Sequence, residues 1–390
     1  MSIYTQVAIA FMSVAIFARI AKKINSFYPP FYIFAGIITG PVFLNLVVND
    51  EIIGLFSEIG IVFLLFYLGF EFSLQTFFQR KKTLIIAGSI DFIINFTIGF
   101  FLGNFLGFDL FHSFVLAGIV YMSSSGIITK ALIHINAVKD PEGELVMGIM
   151  VFEDLIMVIY LVLISSINNQ TKELSLINIG FELGTALLFC GVLLFIGIKF
   201  HSQIDNFLQS KSEEVTLLSF LGLVFIITAT GVQLGVSEAL GAFFLGMAIS
   251  QGESKEKVER TSLKFRDVFG SIYFFYFGMN FSLEGLQQYL FWVIIAIIIA
   301  STGKIITGFI ISKFLKCSTI KGSFIGLVIL SRGEFSLLIA GIIGSNYFPF
   351  ESFAVVLIIG TALISTLGFR IFDILCEHKK ICLLEQKPMD

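Results

Sequence analysis

The sequence predicts an all-α membrane protein with about thirteen transmembrane helices in two inverted repeats, two of the helices being interrupted and crossing each other. Hydrophobic residues make up 56% of the 390 residues and charged residues 14%, against about a quarter charged in soluble domains. Apolar runs long enough to cross a bilayer recur along the chain. Two pairs of similar segments are separated by nearly the same distance. These observations exclude a soluble globular enzyme, and no covalent chemistry is predicted.

The apolar runs predict helices, because membrane-barrel strands would be about half as long and would alternate polar with apolar residues. Thirteen runs qualify, near residues 5–21, 31–48, 53–73, 83–103, 110–131, 145–166, 178–199, 215–233, 237–251, 263–282, 289–312, 322–345 and 350–372.

The loops between these spans differ in their content of Lys and Arg. Of the 25 basic residues, 22 lie in one set of alternate loops and at the C-terminus, Lys172 lies on the other side, and Lys304 and Arg332 lie within spans. Because short loops rich in Lys and Arg stay in the cytoplasm, the N-terminus is predicted outside and the C-terminus inside the cell membrane. The basic residues follow the first span, whereas a cleaved signal carries them before its apolar stretch. The first span is therefore not predicted to be a cleaved signal.

An internal repeat links the two halves of the chain. Residues 66–74 match residues 275–283 at six of nine positions, 209 residues away, and residues 118–126 lie 208 residues before the similar segment 326–334. Spans 3 and 5 therefore correspond to spans 10 and 12. Corresponding spans are seven crossings apart, an odd number, so the two copies run in opposite directions. Inverted repeats of this kind place a binding site near the middle of the membrane.

Two repeat-equivalent stretches near mid-membrane combine small polar residues with glycine, which weakens a helix locally. We expect both helices to unwind and cross here, with Arg332 and Glu334 neutralising the ends of the half-helices. The alternative is that Ser and Gly only allow close helix packing. The crossing residues are Ser123, Ser124, Ser125 and Gly126 in span 5, and Ser331, Arg332, Gly333 and Glu334 in span 12.

Three ionisable residues lie near the middle of otherwise apolar spans: Glu153 and Asp154 in span 6, and Lys304 in span 11. A charge there costs about 2.5–3.5 kcal/mol on insertion scales, so it is usually functional. Two carboxylates in a poorly hydrated cleft make proton binding compete with cation binding, and Lys304 can neutralise one of them. The alternative is a structural ion pair between spans 6 and 11.

Other polar residues give weaker signals. Glu71, Asp91 and Glu238 fit a pathway role or a packing role equally well. The four histidines fall in loops or at span ends, and the four cysteines show no ligand or disulfide spacing, so no metal centre is predicted. No basic patch suggests nucleic acid, and no glycine fingerprint for a dinucleotide follows the last span, so no cofactor is expected.

With these residues in this order, the chain resembles the cation:proton antiporter superfamily. Within it, the chain is similar to the second monovalent branch, which contains sodium/proton exchangers and the membrane domains of potassium-efflux systems. The similarity covers nearly the whole chain. The matching landmarks are residues 68–71, 123–126, 152–154, 240–246, 277–279 and 333–335.

The resemblance implies the sodium/proton antiporter fold and a homodimer, whose mobile core moves against a dimerisation domain. Asp154 corresponds to the family's cation- and proton-binding aspartate, with Ser123 and Ser124 nearby, and Lys304 to the lysine that pairs with the preceding position. Glu153 occupies that position, where family members have Asp, Gln or Asn. The ligands implied are Na⁺ or K⁺ and H⁺.

Residues 1–375 are expected to form one transport unit, followed by a short cytoplasmic tail at 376–390. Its core subdomain is predicted near residues 53–166 and 263–372, and its dimerisation subdomain near 1–48 and 178–251. The expected function is antiport of a monovalent cation, Na⁺ before K⁺, against protons. An organic-anion symporter and a channel or membrane sensor are the alternatives from other classes.

Overall fold

All regular secondary structure described for this protein is α-helical. The computed structural model describes residues 2–24, 26–48, 51–71, 81–124, 127–128, 132, 141–168, 176–208, 212–250, 255–314, 318–344 and 347–379.

Sixteen helices are defined within these ranges. They are α1 (Ile3–Lys23), α2 (Tyr28–Thr39), α3 (Glu51–Glu71), α4 (Lys81–Phe105), α5 (Leu110–Tyr121), α6 (Pro141–Asn168), α7 (Leu176–Lys199), α8 (His201–Leu208), α9 (Glu213–Gln233), α10 (Glu238–Ile249), α11 (Lys255–Met279), α12 (Leu283–Gln287), α13 (Leu290–Phe314), α14 (Thr319–Val328), α15 (Glu334–Ile343) and α16 (Phe350–Lys379).

The predicted spans and the helices agree, and the protein is a multi-pass membrane protein. Each of the thirteen predicted spans contains a helix, and the spans at 110–131 and 322–345 are interrupted. The span predicted at 31–48 is too long, because α2 ends at Thr39 and residues 40–48 are not helical. Among the described residues, six helices can cross a membrane by length and apolar composition alone. A seventh is obtained if Gly184–Lys199 and His201–Leu208, bent by 79°, form one span.

The packing of the helices follows the inverted repeat. Helix α2 packs against α11, and its repeat counterpart α10 packs against α3. A Cβ atom on Gly36 of α2 would overlap the carbonyl oxygen of Phe275, and one on Gly246 of α10 would overlap that of Phe66. Gly36 and Gly246 are 210 residues apart, and Phe66 and Phe275 are 209 apart. The same glycine-mediated approach is therefore made once in each repeat.

The helices form two packed groups. In the first, α11 contacts α1, α2 and α3, and α10 contacts α3, α7 and α9. In the second, α4 contacts α5, α6 and α13, while α16 contacts α13, α14 and α15. The sequence analysis assigned residues 53–73 and 263–282 to the core subdomain. These residues form most of α3 and the C-terminal part of α11, which lie in the middle of the first group. The division into subdomains stays a prediction. Hydropathy locates spans but does not indicate their lateral neighbours.

Candidate functional site

Two interrupted helices meet in the second group. Helix α5 ends at Tyr121 and is followed by three non-helical residues; α14 ends at Val328, five residues before α15 begins. The Ser124 backbone N–H donates to the Ser331 carbonyl at 2.8 Å, and the Ser123 hydroxyl donates to the Ile329 carbonyl at 2.9 Å. The two segments therefore cross in direct contact. Ser125 and Gly126, also predicted for this crossing, lie outside the described residues.

Charged side chains lie at the ends of the half-helices, as the helix dipoles favour. The fully buried Arg332 guanidinium donates to the carbonyls of Val120 at 2.6 Å, Leu330 at 2.6 Å and Ala300 at 3.4 Å. Val120 is in the last turn of α5, where carbonyls lack helical partners. Arg332 thus places positive charge where the backbone dipole is negative.

Glu334 occupies the opposite kind of position, in the first turn of α15. Its carboxylate accepts a hydrogen bond from the Ser124 hydroxyl at 3.0 Å. Gly333, just before it, approaches so closely that a Cβ atom would overlap the Ser124 side chain. The close crossing requires glycine here, and it joins the two repeats through one hydroxyl.

Glu153 connects α6 to this crossing. Its carboxylate accepts from the Ser123 backbone N–H at 2.6 Å. The Ser123 hydroxyl lies 2.8 Å from the same carboxylate and shares its single proton between it and the Ile329 carbonyl. The Lys304 ammonium of α13 donates to the same carboxylate at 2.8 Å. Glu153 and Lys304 are 2% and 0% exposed. The structure therefore brings together three of the predicted site residues, on three different elements.

Asp154 follows Glu153 on α6 and is also buried, at 7% exposed. Adjacent helical residues point about 100° apart, so the two carboxylates leave α6 in different directions. Asp154 is thus buried next to Glu153, and its predicted role as a ligand of the transported cation stays a prediction.

Lys304 has a second carboxylate partner, Asp91, which the sequence analysis named only as a weaker candidate. Both carboxylate oxygens of Asp91 on α4 accept from Lys304, at 3.0 and 2.8 Å, and Asp91 is fully buried. The Lys304 ammonium also lies 5.1 Å from the centre of the Tyr121 ring. The sequence contained one signal for this contact. Spans 4 and 11 are equivalent spans of the two repeats, and two helices related by a pseudo-two-fold axis can contact each other on that axis.

Several buried polar atoms around this centre have hydrogen-bonding capacity that the described residues do not use. In native proteins most such atoms are satisfied by protein or water. These atoms are Asn95 Oδ1, Tyr121 Oη, Ser301 Oγ and Ser331 Oγ. They lie on α4, α5, α13 and the crossing, the elements that surround Lys304, so the centre is polar beyond its charged groups.

The remaining candidates lie elsewhere. Glu71 is the last residue of α3, and Glu238 is in the first turn of α10 beside the capping residue Ser237. An acidic residue in the first turn stabilises a helix, which favours the structural interpretation of Glu238.

Comparison with known proteins identifies the family. The family model described as "Sodium/hydrogen exchanger, transmembrane" matches residues 8–375. The chain belongs to the sodium/hydrogen exchanger family. The predicted membership of the cation:proton antiporters is thereby confirmed, and the symporter and channel alternatives are not needed.

The relatives are named as antiporters of several monovalent cations. The K⁺/H⁺ antiporter subunit KhtU of Bacillus subtilis is 32% identical over 98% of this chain and 95% of its own. The Na⁺/H⁺-K⁺ antiporter GerN of Bacillus cereus is 24% identical, covering 78% of this chain and 79% of its own.

A solved structure has the same fold. The sodium proton antiporter MjNhaP1 from Methanocaldococcus jannaschii aligns over 99% of this chain and 100% of its own, with a TM-score of 0.74 and 17% identity. The sodium/proton antiporter fold predicted from the sequence is confirmed.

Proposed function

We propose that this protein exchanges a monovalent cation, Na⁺ before K⁺, for protons by alternating access across the cell membrane. One observation carries the proposal: the buried carboxylate of Glu153 contacts the point where the two interrupted helices cross, and the buried Asp154 follows it on α6. Buried carboxylates bind either protons or cations, because either neutralises a charge that is costly in a poorly hydrated site.

In the proposed mechanism, Asp154 is the main ligand for the transported cation and for the competing proton. Hydroxyl and carbonyl oxygens of Ser123, Ser124 and the crossing replace part of the cation's hydration shell. Freed backbone groups at interrupted helices are common ligands in transporters. Protonation of Asp154 removes the charge that holds the cation and releases it.

The proposed movement takes place between the two packed groups of helices. The group that contains α4–α6 and α13–α16 carries the site and moves as the core, and the group built around α3, α10 and α11 is the scaffold. In this division α3 and α11 belong to the scaffold, whereas the sequence analysis predicted them in the core. We also propose a homodimer with the N-terminus outside and the C-terminus in the cytoplasm; the distribution of basic residues supports the orientation.

K⁺ is the second candidate cation. The relative that is 32% identical over nearly the whole chain is named a K⁺/H⁺ antiporter subunit, whereas two relatives named for Na⁺ are 24–26% identical. The same assay distinguishes the two cations.

The test is reconstitution into vesicles with an imposed pH difference, followed by addition of Na⁺, K⁺ or Li⁺ in turn. Wild type is expected to dissipate the pH difference when its cation is added. Asp154→Asn keeps the shape of the side chain and removes its titration, so its exchange is expected to fall to that of empty vesicles, with folding retained.

The matched control is Thr228→Val, which removes a buried hydroxyl on α9, outside the site. This variant is expected to exchange like wild type. Near-normal exchange by folded Asp154→Asn would defeat the assignment of Asp154, and cation-independent proton flux in wild type would defeat antiport.

A further inference from the structure

The Lys304 ammonium is shared between two carboxylates. Its nitrogen lies 2.8 and 3.0 Å from the two oxygens of Asp91 and 2.8 Å from one oxygen of Glu153. All three side chains are between 0 and 3% exposed. One ammonium group thus contacts two carboxylates out of contact with water.

The two carboxylates are held differently. Both oxygens of Asp91 face Lys304, and the Asn95 amide on the next turn of α4 donates to one of them at 2.9 Å and to the Asp91 carbonyl at 3.0 Å. The same amide reaches the Thr307 hydroxyl of α13 at 3.0 Å. Asp91 is therefore fixed between α4 and α13.

The Glu153 carboxylate, in contrast, accepts hydrogen bonds from both the lysine and the crossing. One of its oxygens accepts from both Lys304 and the Ser123 hydroxyl, and the other accepts from the Ser123 backbone N–H. The crossing is the element expected to respond to the transported cation. Of the two carboxylates, Glu153 is thus the one in direct contact with the crossing, and Asp91 contacts the lysine of α13.

The second carboxylate changes the free-energy cost of keeping the Lys304 ammonium buried. A buried charge left without a partner costs several kcal/mol. If Glu153 were the sole partner of Lys304, a proton on Glu153 would leave the ammonium unpaired, and the lysine would have to lose its own proton. With Asp91 in place, Glu153 can become neutral while Lys304 stays ion-paired.

We propose that Asp91 is the resident counter-ion of Lys304, a positioning residue that lets Glu153 take up and release a proton while the lysine keeps its own. The proton binds to and leaves a Glu153 carboxylate oxygen, and no N–H bond of Lys304 breaks. This inference rests on the proposed antiport.

Other charged and titratable groups near Asp91 do not duplicate this role. Arg332 is directed at backbone carbonyls, and the Tyr121 ring faces the ammonium. The groups that face Asp91 from the surrounding elements are Lys304 on α13, Glu153 on α6, Tyr121 on α5 and Arg332 in the crossing, with Asp154 beside Glu153.

The experiment measures cation-dependent proton exchange in vesicles across a range of pH for wild type, Asp91→Asn, Asp91→Glu and the control Thr228→Val. In Asp91→Asn, Glu153 becomes the only counter-ion of Lys304 and holds its negative charge down to lower pH. The pH optimum is therefore expected to move about one unit or more towards acid. Asp91→Glu keeps the charge and is expected to return the optimum towards that of wild type.

A purely structural role for Asp91 predicts another result: Asp91→Asn would lower the amount of folded protein, or the rate at every pH, without moving the optimum. A folded Asp91→Asn variant with the wild-type optimum overturns the inference, as does Asp91→Glu behaving like Asp91→Asn. Failure of wild type and Thr228→Val to exchange would defeat the proposed function instead.

If Asp91→Asn does not fold, the double variant Asp91→Asn with Lys304→Gln removes both charges. Folded protein, measured by size-exclusion chromatography and thermal melting, is expected to recover relative to Lys304→Gln alone. The reason is that Lys304→Gln leaves both buried carboxylates, Asp91 and Glu153, without the ammonium, and Asp91→Asn removes one of these two charges. Equal failure of Lys304→Gln and the double variant would contradict the ion pair on which the inference depends.

Discussion

In each repeat a backbone N–H of the crossing donates to a side chain on the next long helix, but the accepting group differs between the two repeats. In the first, the Ser123 backbone N–H donates to the carboxylate of Glu153 on α6. In the second, the Arg332 backbone N–H donates to the hydroxyl of Thr361 on α16, at 3.1 Å. Glu153 and Thr361 are 208 residues apart, the offset of the repeated crossing segments. The architecture is thus duplicated, while only the first repeat places a titratable group at this point.

This difference indicates a division of labour between the repeats. Thr361 also donates to the Leu357 carbonyl one turn earlier, so it fastens the crossing to α16. In the first repeat the same position holds a carboxylate in contact with a lysine. The symmetry accounts for the duplicated architecture, and the asymmetric charges form the proposed site for ions.

The largest effect is expected from removing the charge in the first repeat. Glu153→Gln can still accept from Ser123, and Lys304 keeps Asp91, so the protein is expected to fold and to exchange. It loses one titratable group, so the number of protons exchanged per cation is expected to fall.

Exchange measured at a series of clamped membrane potentials checks this prediction. Wild-type exchange should depend on the potential, and Glu153→Gln exchange should depend on it much less. An unchanged dependence in the variant would show that Glu153 does not carry an exchanged proton.

A smaller effect is expected at the equivalent position of the second repeat. Thr361→Val keeps the side-chain shape and removes one hydroxyl, at a cost of about 1–2 kcal/mol in stability, because the Arg332 N–H loses its acceptor. Proton coupling and its dependence on potential should match wild type. A change in stoichiometry would show that the second repeat also takes part in ion binding.

The smallest effect concerns the first residues of the two interrupted spans. Asp109 caps α5 and Ser318 caps α14, 209 residues apart. The hydrogen bond from the His112 backbone N–H lowers the pKa of Asp109 below its ordinary value. A lowered folded-state pKa means that the ionised cap stabilises the protein above the ordinary pKa of Asp, and that this stabilisation is lost as the pH falls through the lowered value.

Asp109→Ala is therefore expected to reduce the melting temperature at neutral pH and to approach wild type in acid. Ser318→Ala should cost about 1 kcal/mol, independent of pH, because the serine hydroxyl does not titrate in this range. Thermal melting of both variants at neutral and acid pH makes the comparison. Equal pH dependence in the two variants would contradict the assigned cap chemistry.

Much of the fold was predictable from the sequence. Span positions follow from the length and hydropathy of apolar runs, and the inverted repeat follows from two matches at nearly one offset and an odd number of crossings. Ser123, Glu153 and Lys304 were singled out because polar groups at mid-membrane are costly without a function. The structure brings these three residues into contact.

Lateral packing was not predictable in the same way. Hydropathy does not indicate which helices touch, so α3 and α11 were assigned to the core, and Asp91 was not recognised as a partner of Lys304. The repeat offers a signal for both. Gly36 and Gly246 are equivalent positions that mark close approach, and Asn95 and Lys304, 209 residues apart, mark where α4 meets α13.

The most direct test of the account is cation binding to the purified protein as a function of pH. If cation and proton compete for Asp154, the apparent dissociation constant for the preferred cation should rise about tenfold for each pH unit towards acid. Asp154→Asn should abolish specific binding. A cation affinity in wild type that does not change with pH, or undiminished binding by Asp154→Asn, would contradict competition at this site.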